Sequence, residues 1–148
     1  MSQVAVTAGK FETGQTLTLA NFESAELNPE DFTHEQHIRM AWLLLREADL
    51  LEAITRYREA LKKITRKFGA ETKYHETITW FFLVTIAERM ETIASIHSKE
   101  CWISFRTANW ELFEGNPSWL ERNYSGERLT SELARRQFVL PDRLPLND

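Results

Sequence analysis

Residues 73–96, KYHETITWFFLVTIAERMETIASI, form the longest uninterrupted stretch with a helical hydrophobic period in the chain. At about 100° per residue, one apolar stripe runs along this stretch and consists of Ile78, Phe82, Ile86, Met90 and Ile93. An apolar face of this length must be covered by other parts of the chain. The stretch therefore predicts a helix in the core of a helical domain.

The first turn of this predicted helix carries two ionisable residues on or beside the apolar face. His75 and Thr79 fall inside the stripe, and Glu76 lies on its flank. Thr77 and Glu88, in contrast, belong to the opposite, polar face. Burying an ionisable group without a partner is costly. We therefore interpret the first turn as part of a candidate pocket.

Two amphipathic segments precede this helix and several shorter ones follow it. Thr33 or Asp31 can cap the first helix, and Gly69 can end the second. The short connections between the first three helices make neighbouring helices antiparallel. The predicted fold is therefore all-α, an antiparallel bundle of three longer helices closed by a fourth and two short C-terminal helices. The predicted helices cover residues 34–48, 50–68, 73–96, 100–113, 117–124 and 127–137.

Length and composition fit a single globular domain. A chain of 148 residues can bury a sizeable core, and five glycines with four prolines are few for a turn-rich all-β fold. Residues 1–28 mix small and polar residues without a helical period and include three of the acidic residues. We expect residues 1–28 to be an extended or disordered acidic segment, followed by one helical domain over residues 29–148.

Charge and cysteine content restrict the location and the partners. The single cysteine, Cys101, excludes an internal disulfide, and the sequence starts without a secretory signal pattern, so we expect a cytoplasmic protein. Apolar runs are too short to span a membrane, which argues against a membrane partner. A formal net charge of -4 disfavours a nucleic-acid-binding domain. The expected partners are a small molecule or a protein, including a second copy of the chain.

Three of the four histidines are predicted to meet at one end of the bundle. His34 and His37 lie in the first turn of the first helix, and His75 lies in the first turn of the third. Two short connections make the first and third helices parallel, so their N-termini lie at the same end. A helix N-terminus favours carboxylate and disfavours imidazolium, which suits neutral histidines beside an ionised Glu76.

This cluster predicts specific chemical roles. We expect His75 to act as an acid or base and Glu76 to orient it or accept its proton. His34 and His37 are expected to contact the ligand, and together with His75 they form a candidate site for a divalent transition metal. A functional histidine should be replaceable by alanine at little cost in stability. The other predicted ligand contacts are Tyr74, Thr79, Trp42 and Trp80.

The sequence matches no known metal-binding motif that would identify the cofactor. The local string HEQH differs from the HExxH pattern of zinc proteases, and the paired Glu-x-x-His pattern of di-iron bundles is absent. The cofactor therefore stays open, with a divalent transition metal as one alternative.

A different class of function is also open. The stretch AWLLLREADLLEAITRYREALKKI resembles one tetratricopeptide-type helical hairpin, notably at Ala53, Tyr57 and Ala60. Repeat arrays need about three stacked units, and this chain has no room for them, so we interpret the match as a generic antiparallel helix pair. A helical protein–protein adaptor without catalysis is the alternative function, and a homo-oligomeric structural protein is a third interpretation.

The second predicted helix has a basic face opposite its apolar one. A solvated face is the simpler interpretation, and an anion- or RNA-binding surface is the alternative. Arg135 and Arg136, near the end of the chain, pose the same choice between solvation and contact with an anionic ligand. The basic face consists of Arg56, Arg58, Lys62, Lys63, Arg66 and Lys67.

The strings FTHEQHIRMAWLLLR, KYHETITW and ARRQFVLPD, taken together, resemble a group of small, all-helical bacterial proteins whose function is uncharacterised. The resemblance covers about residues 30–142. It implies that the three strings belong together, and it implies no activity or ligand.

Overall fold

The computed structural model describes residues 17–94 and 101–143, and these residues form helices joined by short connections, without a β-strand. Three short 3-10 turns cover Pro29–Asp31, Glu71–Lys73 and Trp110–Leu112. Among the described residues, no helix is both long and apolar enough to cross a membrane. The helices are α1 (Leu19–Ser24), α2 (His34–Glu47), α3 (Leu50–Lys67), α4 (Glu76–Ala94), α5 (Trp102–Ala108), α6 (Trp119–Asn123), α7 (Gly126–Leu129) and α8 (Glu132–Arg136).

Helices α2, α3 and α4 pack against one another and form the bundle. The Tyr57 hydroxyl, in the middle of α3, donates a hydrogen bond to the His37 carbonyl near the start of α2. The His34 ring packs edge-on against Phe82, with centroids 5.6 Å apart, so α2 and α4 begin at the same end. The predicted all-α helical bundle is confirmed.

Local signals set the ends of α2 and α3. The Thr33 side chain caps α2, and the Asp49 side chain accepts a hydrogen bond from the Glu52 N–H at 2.8 Å and caps α3. Gly69 follows α3 with a positive φ of 67°, a conformation that glycine adopts without strain. Both helices end within one residue of the predicted bounds.

Helix α1 belongs to the core, so the expectation of an extended or disordered segment is wrong for residues 17–28. Phe22 is fully buried and its ring lies 5.0 Å from that of Tyr57 and 5.5 Å from that of Phe32. The Thr18 side chain caps the helix. The domain therefore starts before the predicted boundary, while residues 1–16 lie outside the described residues.

Much of the basic face of α3 holds α1 in place and is not simply solvated. Lys63 and Lys67 donate to the carbonyls of Glu23 and Ala25 at 3.1 and 2.7 Å, where the C-terminus of α1 favours positive charge. Arg56 pairs with the Glu23 carboxylate at 2.7 Å. A helical projection of α3 places these lysines and this arginine on the solvent side, but in the fold they bind the carbonyl and carboxylate oxygens at the end of α1.

Helix α4 is covered on more than its predicted apolar stripe. Ile86 of the predicted stripe is buried as expected, and so is Leu83, which widens the stripe on one side. Phe81 and Thr77 are buried too, under the C-terminal part of the chain. The predicted outward orientation of Thr77 is therefore wrong. Its hydroxyl donates to the Ala134 carbonyl at 2.7 Å and accepts a hydrogen bond from a backbone N–H at 3.1 Å, which fastens the C-terminal segment to α4.

The fourth predicted helix is shorter than expected. Helix α5 ends at Ala108, and the chain continues as a 3-10 turn over Trp110–Leu112. The helical period of residues 100–113 predicts that Cys101, Phe105, Ala108 and Leu112 face inward. Phe105 and Leu112 are buried as predicted, but Ala108 and Cys101 are exposed, so the predicted orientation of these two is wrong. His97 lies outside the described residues.

Candidate functional site

A cavity of about 450 Å³ lies at the end of the bundle where α2 and α4 begin. Three histidines line it: His34 and His37 from α2, and His75 from the residue just before α4. Tyr57 and Leu61 of α3 form another part of the wall, and residues 111–120 close it. The short connections that bring the two helix starts together thus also place three imidazoles around one space.

His75 uses both ring nitrogens to hold the fold. Its Nδ1 accepts a hydrogen bond from the Ile78 N–H at 3.2 Å, and its carbonyl accepts the first helical bond, from Thr79 N–H, so His75 is the N-cap of α4. Because Nδ1 is an acceptor, the proton sits on Nε2, which donates to the Leu129 carbonyl at 2.7 Å. This geometry makes His75 a structural residue and leaves no ring nitrogen for proton transfer.

His34 is anchored more loosely at the rim of the cavity. Its Nε2 lies 3.0 Å from the Leu112 carbonyl oxygen, so this nitrogen carries a proton and donates the hydrogen bond. This bond links the start of α2 to the segment that closes the cavity.

His37 is half-buried in the cavity wall. Its ring stacks on Phe32 with centroids 3.8 Å apart. Burial, and after it the neighbouring His34, lowers the pKa of His37 to about 4, so the ring is neutral at physiological pH. Within the described part of the chain, its ring nitrogens form no hydrogen bond. His37 therefore offers the cavity a neutral imidazole that the fold does not use.

Glu76 does not join the histidines, and its predicted role as the partner of His75 is not supported by the geometry. Its carboxylate accepts hydrogen bonds from Arg58 Nε at 2.6 Å and from the Trp80 indole at 2.9 Å. Burial alone would raise the pKa of Glu76, but the nearby Tyr74 hydroxyl, Arg58 and Trp80 together hold it below its usual value. Glu76 is an ionised structural residue that ties α4 to α3.

The other predicted contacts divide between the cavity and the core. Thr79 lines the cavity, although its hydroxyl already donates to the His75 carbonyl at 3.0 Å. Trp42 is buried in the core next to Trp102, with ring centroids 5.4 Å apart, and does not line the cavity. Tyr74 and Trp80 also lie outside the cavity wall, so the predictions for these three aromatic residues are not supported.

The sequence reasoning missed the segment that closes the cavity. Phe113, Trp119 and Leu120 line it, and a capping box between Ser118 and Glu121 starts the helix that carries the last two. The Ser-x-x-Glu spacing was a readable sign of that helix start, but no local pattern relates it to α2. The indole N–H of Trp119 is buried and has no hydrogen-bond acceptor among the described residues.

The predicted metal site is not supported. The described ranges, 17–94 and 101–143, contain no group of three or more His, Cys, Asp or Glu side chains arranged to hold a metal ion. For His75 the reason is specific, because both of its ring nitrogens are already bound to backbone groups.

Comparison with models of protein families, with curated protein sequences and with solved structures gave no match for this chain.

Proposed function

We propose that this protein binds a small, mainly apolar, uncharged molecule in the histidine-lined cavity. The observation that carries the proposal is the cavity, whose volume of about 450 Å³ lies in the range of about 300–1,000 Å³ that is usual for ligand sites. Aliphatic and aromatic side chains dominate its wall, including Ile78, Phe82, Phe113 and Leu120. Such a wall favours a ligand that gains from leaving water.

The polar groups of the wall restrict the chemical class of the ligand further. His75, Thr79 and one nitrogen of His34 already bind protein groups. The groups that remain are the neutral ring of His37, the buried N–H of Trp119 and, at the exposed edge of the cavity, the Lys73 ammonium, which makes no ion pair with a described residue. A buried donor without an acceptor is costly, so a ligand that carries a carbonyl or hydroxyl oxygen would gain a hydrogen bond there.

The proposal assigns binding and no reaction. The acid–base pair expected from His75 and Glu76 would require the two side chains to face one another, whereas Glu76 pairs with Arg58. The adaptor alternative has less support, because α1 packs on α3 and α4 packs on both α2 and α3, covering faces of the tetratricopeptide-like pair. A homo-oligomeric role stays a prediction.

Titration of the full chain with N-phenyl-1-naphthylamine, a neutral and apolar fluorescent probe, tests the proposal. We expect saturable binding with increased fluorescence. Replacing Ile78 by tryptophan fills part of the cavity. It should raise the dissociation constant of the probe by about tenfold, which corresponds to about 1.4 kcal/mol of binding free energy.

Val84→Trp is the matched control, because Val84 is also a half-buried β-branched residue of α4 but does not line the cavity. It should bind the probe like the parent. Melting temperatures of both variants show whether they remain folded. Equal affinity of the Ile78 and Val84 variants, or no saturable binding by the parent, would overturn the proposed function.

A further inference from the structure

A second concave surface lies on the other side of the start of α4, between α3 and α8. It has a volume of about 360 Å³, and among the described residues its lining shares no residue with that of the histidine cavity. We call it the basic groove. It is lined by Lys62, Thr65, Arg66, Glu71, Tyr74, Glu76, Arg135 and Arg136.

The basic groove carries an excess of positive charge. Four of its lining side chains are cationic and two are anionic, which leaves a net charge of two positive. Outside the lining set, Arg58 pairs with Glu76 and Glu132 pairs with Arg135, so these two neighbours leave the net charge at two positive. The charge of the groove is therefore not balanced from within.

The individual cations differ in how the fold uses them. Lys62 lies over the Tyr74 ring, with Nζ 5.1 Å from the centroid, and within the described chain neither Lys62 nor Arg66 forms an ion pair. Arg135 pairs with Glu132 at 2.9 Å, and Arg136 approaches the same carboxylate only to 4.0 Å. These cations come from two helices far apart in the sequence, and folding brings them to one groove.

Tyr74 adds a second, independent feature. Its hydroxyl is buried and lies close enough to the Glu76 carboxylate to lower the pKa of that carboxyl, but it makes no hydrogen bond of good geometry to any described residue. A buried hydroxyl without a well-aligned acceptor is unfavourable, and a ligand oxygen in the groove would supply such an acceptor.

We propose that the basic groove binds a phosphate group, either free or as a monoester of a small molecule. A phosphate dianion matches the net charge of the lining, and its oxygens accept the forked hydrogen bonds that arginine guanidinium groups donate. Lys62 and Arg66 bring cations that pair with no described carboxylate, and Arg136 brings one that is weakly paired. This inference is independent of the proposed function.

Isothermal titration calorimetry of the full chain tests this inference. We expect inorganic phosphate and glycerol phosphate to bind at constant ionic strength, and the tighter of the two identifies the natural form. Removing two charge-assisted contacts in the double variant Arg66→Gln/Arg136→Gln should weaken binding by at least about tenfold.

The matched control is the double variant Arg46→Gln/Arg122→Gln, which changes the net charge equally but alters two exposed arginines outside the groove. It should bind phosphate like the parent. Both double variants should keep the parent's affinity for N-phenyl-1-naphthylamine, so this test and that of the cavity can fail separately.

Three results would overturn the inference. One is equal phosphate affinity in the two double variants. Another is phosphate binding no stronger than that of chloride at the same ionic strength. The third is that a single-stranded oligonucleotide binds more than about a hundredfold tighter than either phosphate. Such a difference would mean that the groove contacts several phosphates of a nucleic-acid backbone.

Discussion

Replacing His75 by alanine should destabilise the protein, because this residue holds the start of α4 with both ring nitrogens. Its Nδ1 accepts the Ile78 N–H at 3.2 Å, and its Nε2 donates to the Leu129 carbonyl at 2.7 Å. Alanine removes both bonds. The geometry thus reverses the expectation, drawn from a catalytic role, that this replacement would leave stability almost unchanged.

The magnitude follows from the two bonds. Loss of a helix N-cap costs typically about 1 kcal/mol, and loss of a further hydrogen bond costs about another 1 kcal/mol. The free energy of unfolding of His75→Ala should therefore fall by about 2 kcal/mol. For a domain of this length, the melting temperature should fall by about 4–8 °C. His75→Asn should recover about 1 kcal/mol, because asparagine can cap the helix but lacks the reach to Leu129.

Urea unfolding followed by circular dichroism measures these differences. Lys73→Ala is the control, since this exposed neighbour has no side-chain hydrogen bond among the described residues and should change stability by less than about 0.5 kcal/mol. If His75→Ala is as stable as the control, the structural role of His75 is refuted. If asparagine is no better than alanine, the capping part of the argument fails.

Three further replacements test other parts of the structure. The pKa of His37 is about 4 in the folded protein and 6.5 in the unfolded chain. The stability that its neutral ring contributes is therefore complete above pH 6.5 and is lost as the pH falls toward 4. His37→Phe should remove on the order of 2 kcal/mol of this loss, measured by urea unfolding at pH 7.5 and 4.5. Glu76→Gln should lower the free energy of unfolding by about 1–3 kcal/mol, because it breaks the ion pair with Arg58, yet keep the parent's affinity for N-phenyl-1-naphthylamine. Thr77→Val should cost about 2–3 kcal/mol in the same unfolding assay, because its backbone partners lose their hydrogen bonds inside the core.

The sequence was sufficient for the bundle because the signals involved are local. The caps at Thr33 and the stop at Gly69 lie next to the helices that they bound, and the apolar period continues along each helix. The connections are short, which fixes the direction of each neighbour. The meeting of His34, His37 and His75 around one cavity follows from the same facts.

The residues that cover α4 could not be predicted from such local signals. A helical projection treats Thr77 as polar and therefore outward, but the C-terminal segment, some sixty residues away, covers it and uses its hydroxyl. Helix α1 escaped prediction for a related reason. Six residues are too few to show a period, and its stability comes from Phe22 and from lysines of α3.

The start of α4 separates the two candidate sites, and this explains why its most reactive side chains are structural. His75 faces the histidine cavity, and Glu76, the next residue, faces the basic groove. A wall between two concave surfaces needs groups that hold it rigid, so both side chains have their hydrogen bonds to the protein itself. Ligands therefore have to be bound by groups that the fold does not use. In the cavity these are His37 and Trp119, with Lys73 at its exposed edge. In the groove they are Lys62 and Arg66, which pair with no described carboxylate and which no helical pattern could distinguish from solvated cations.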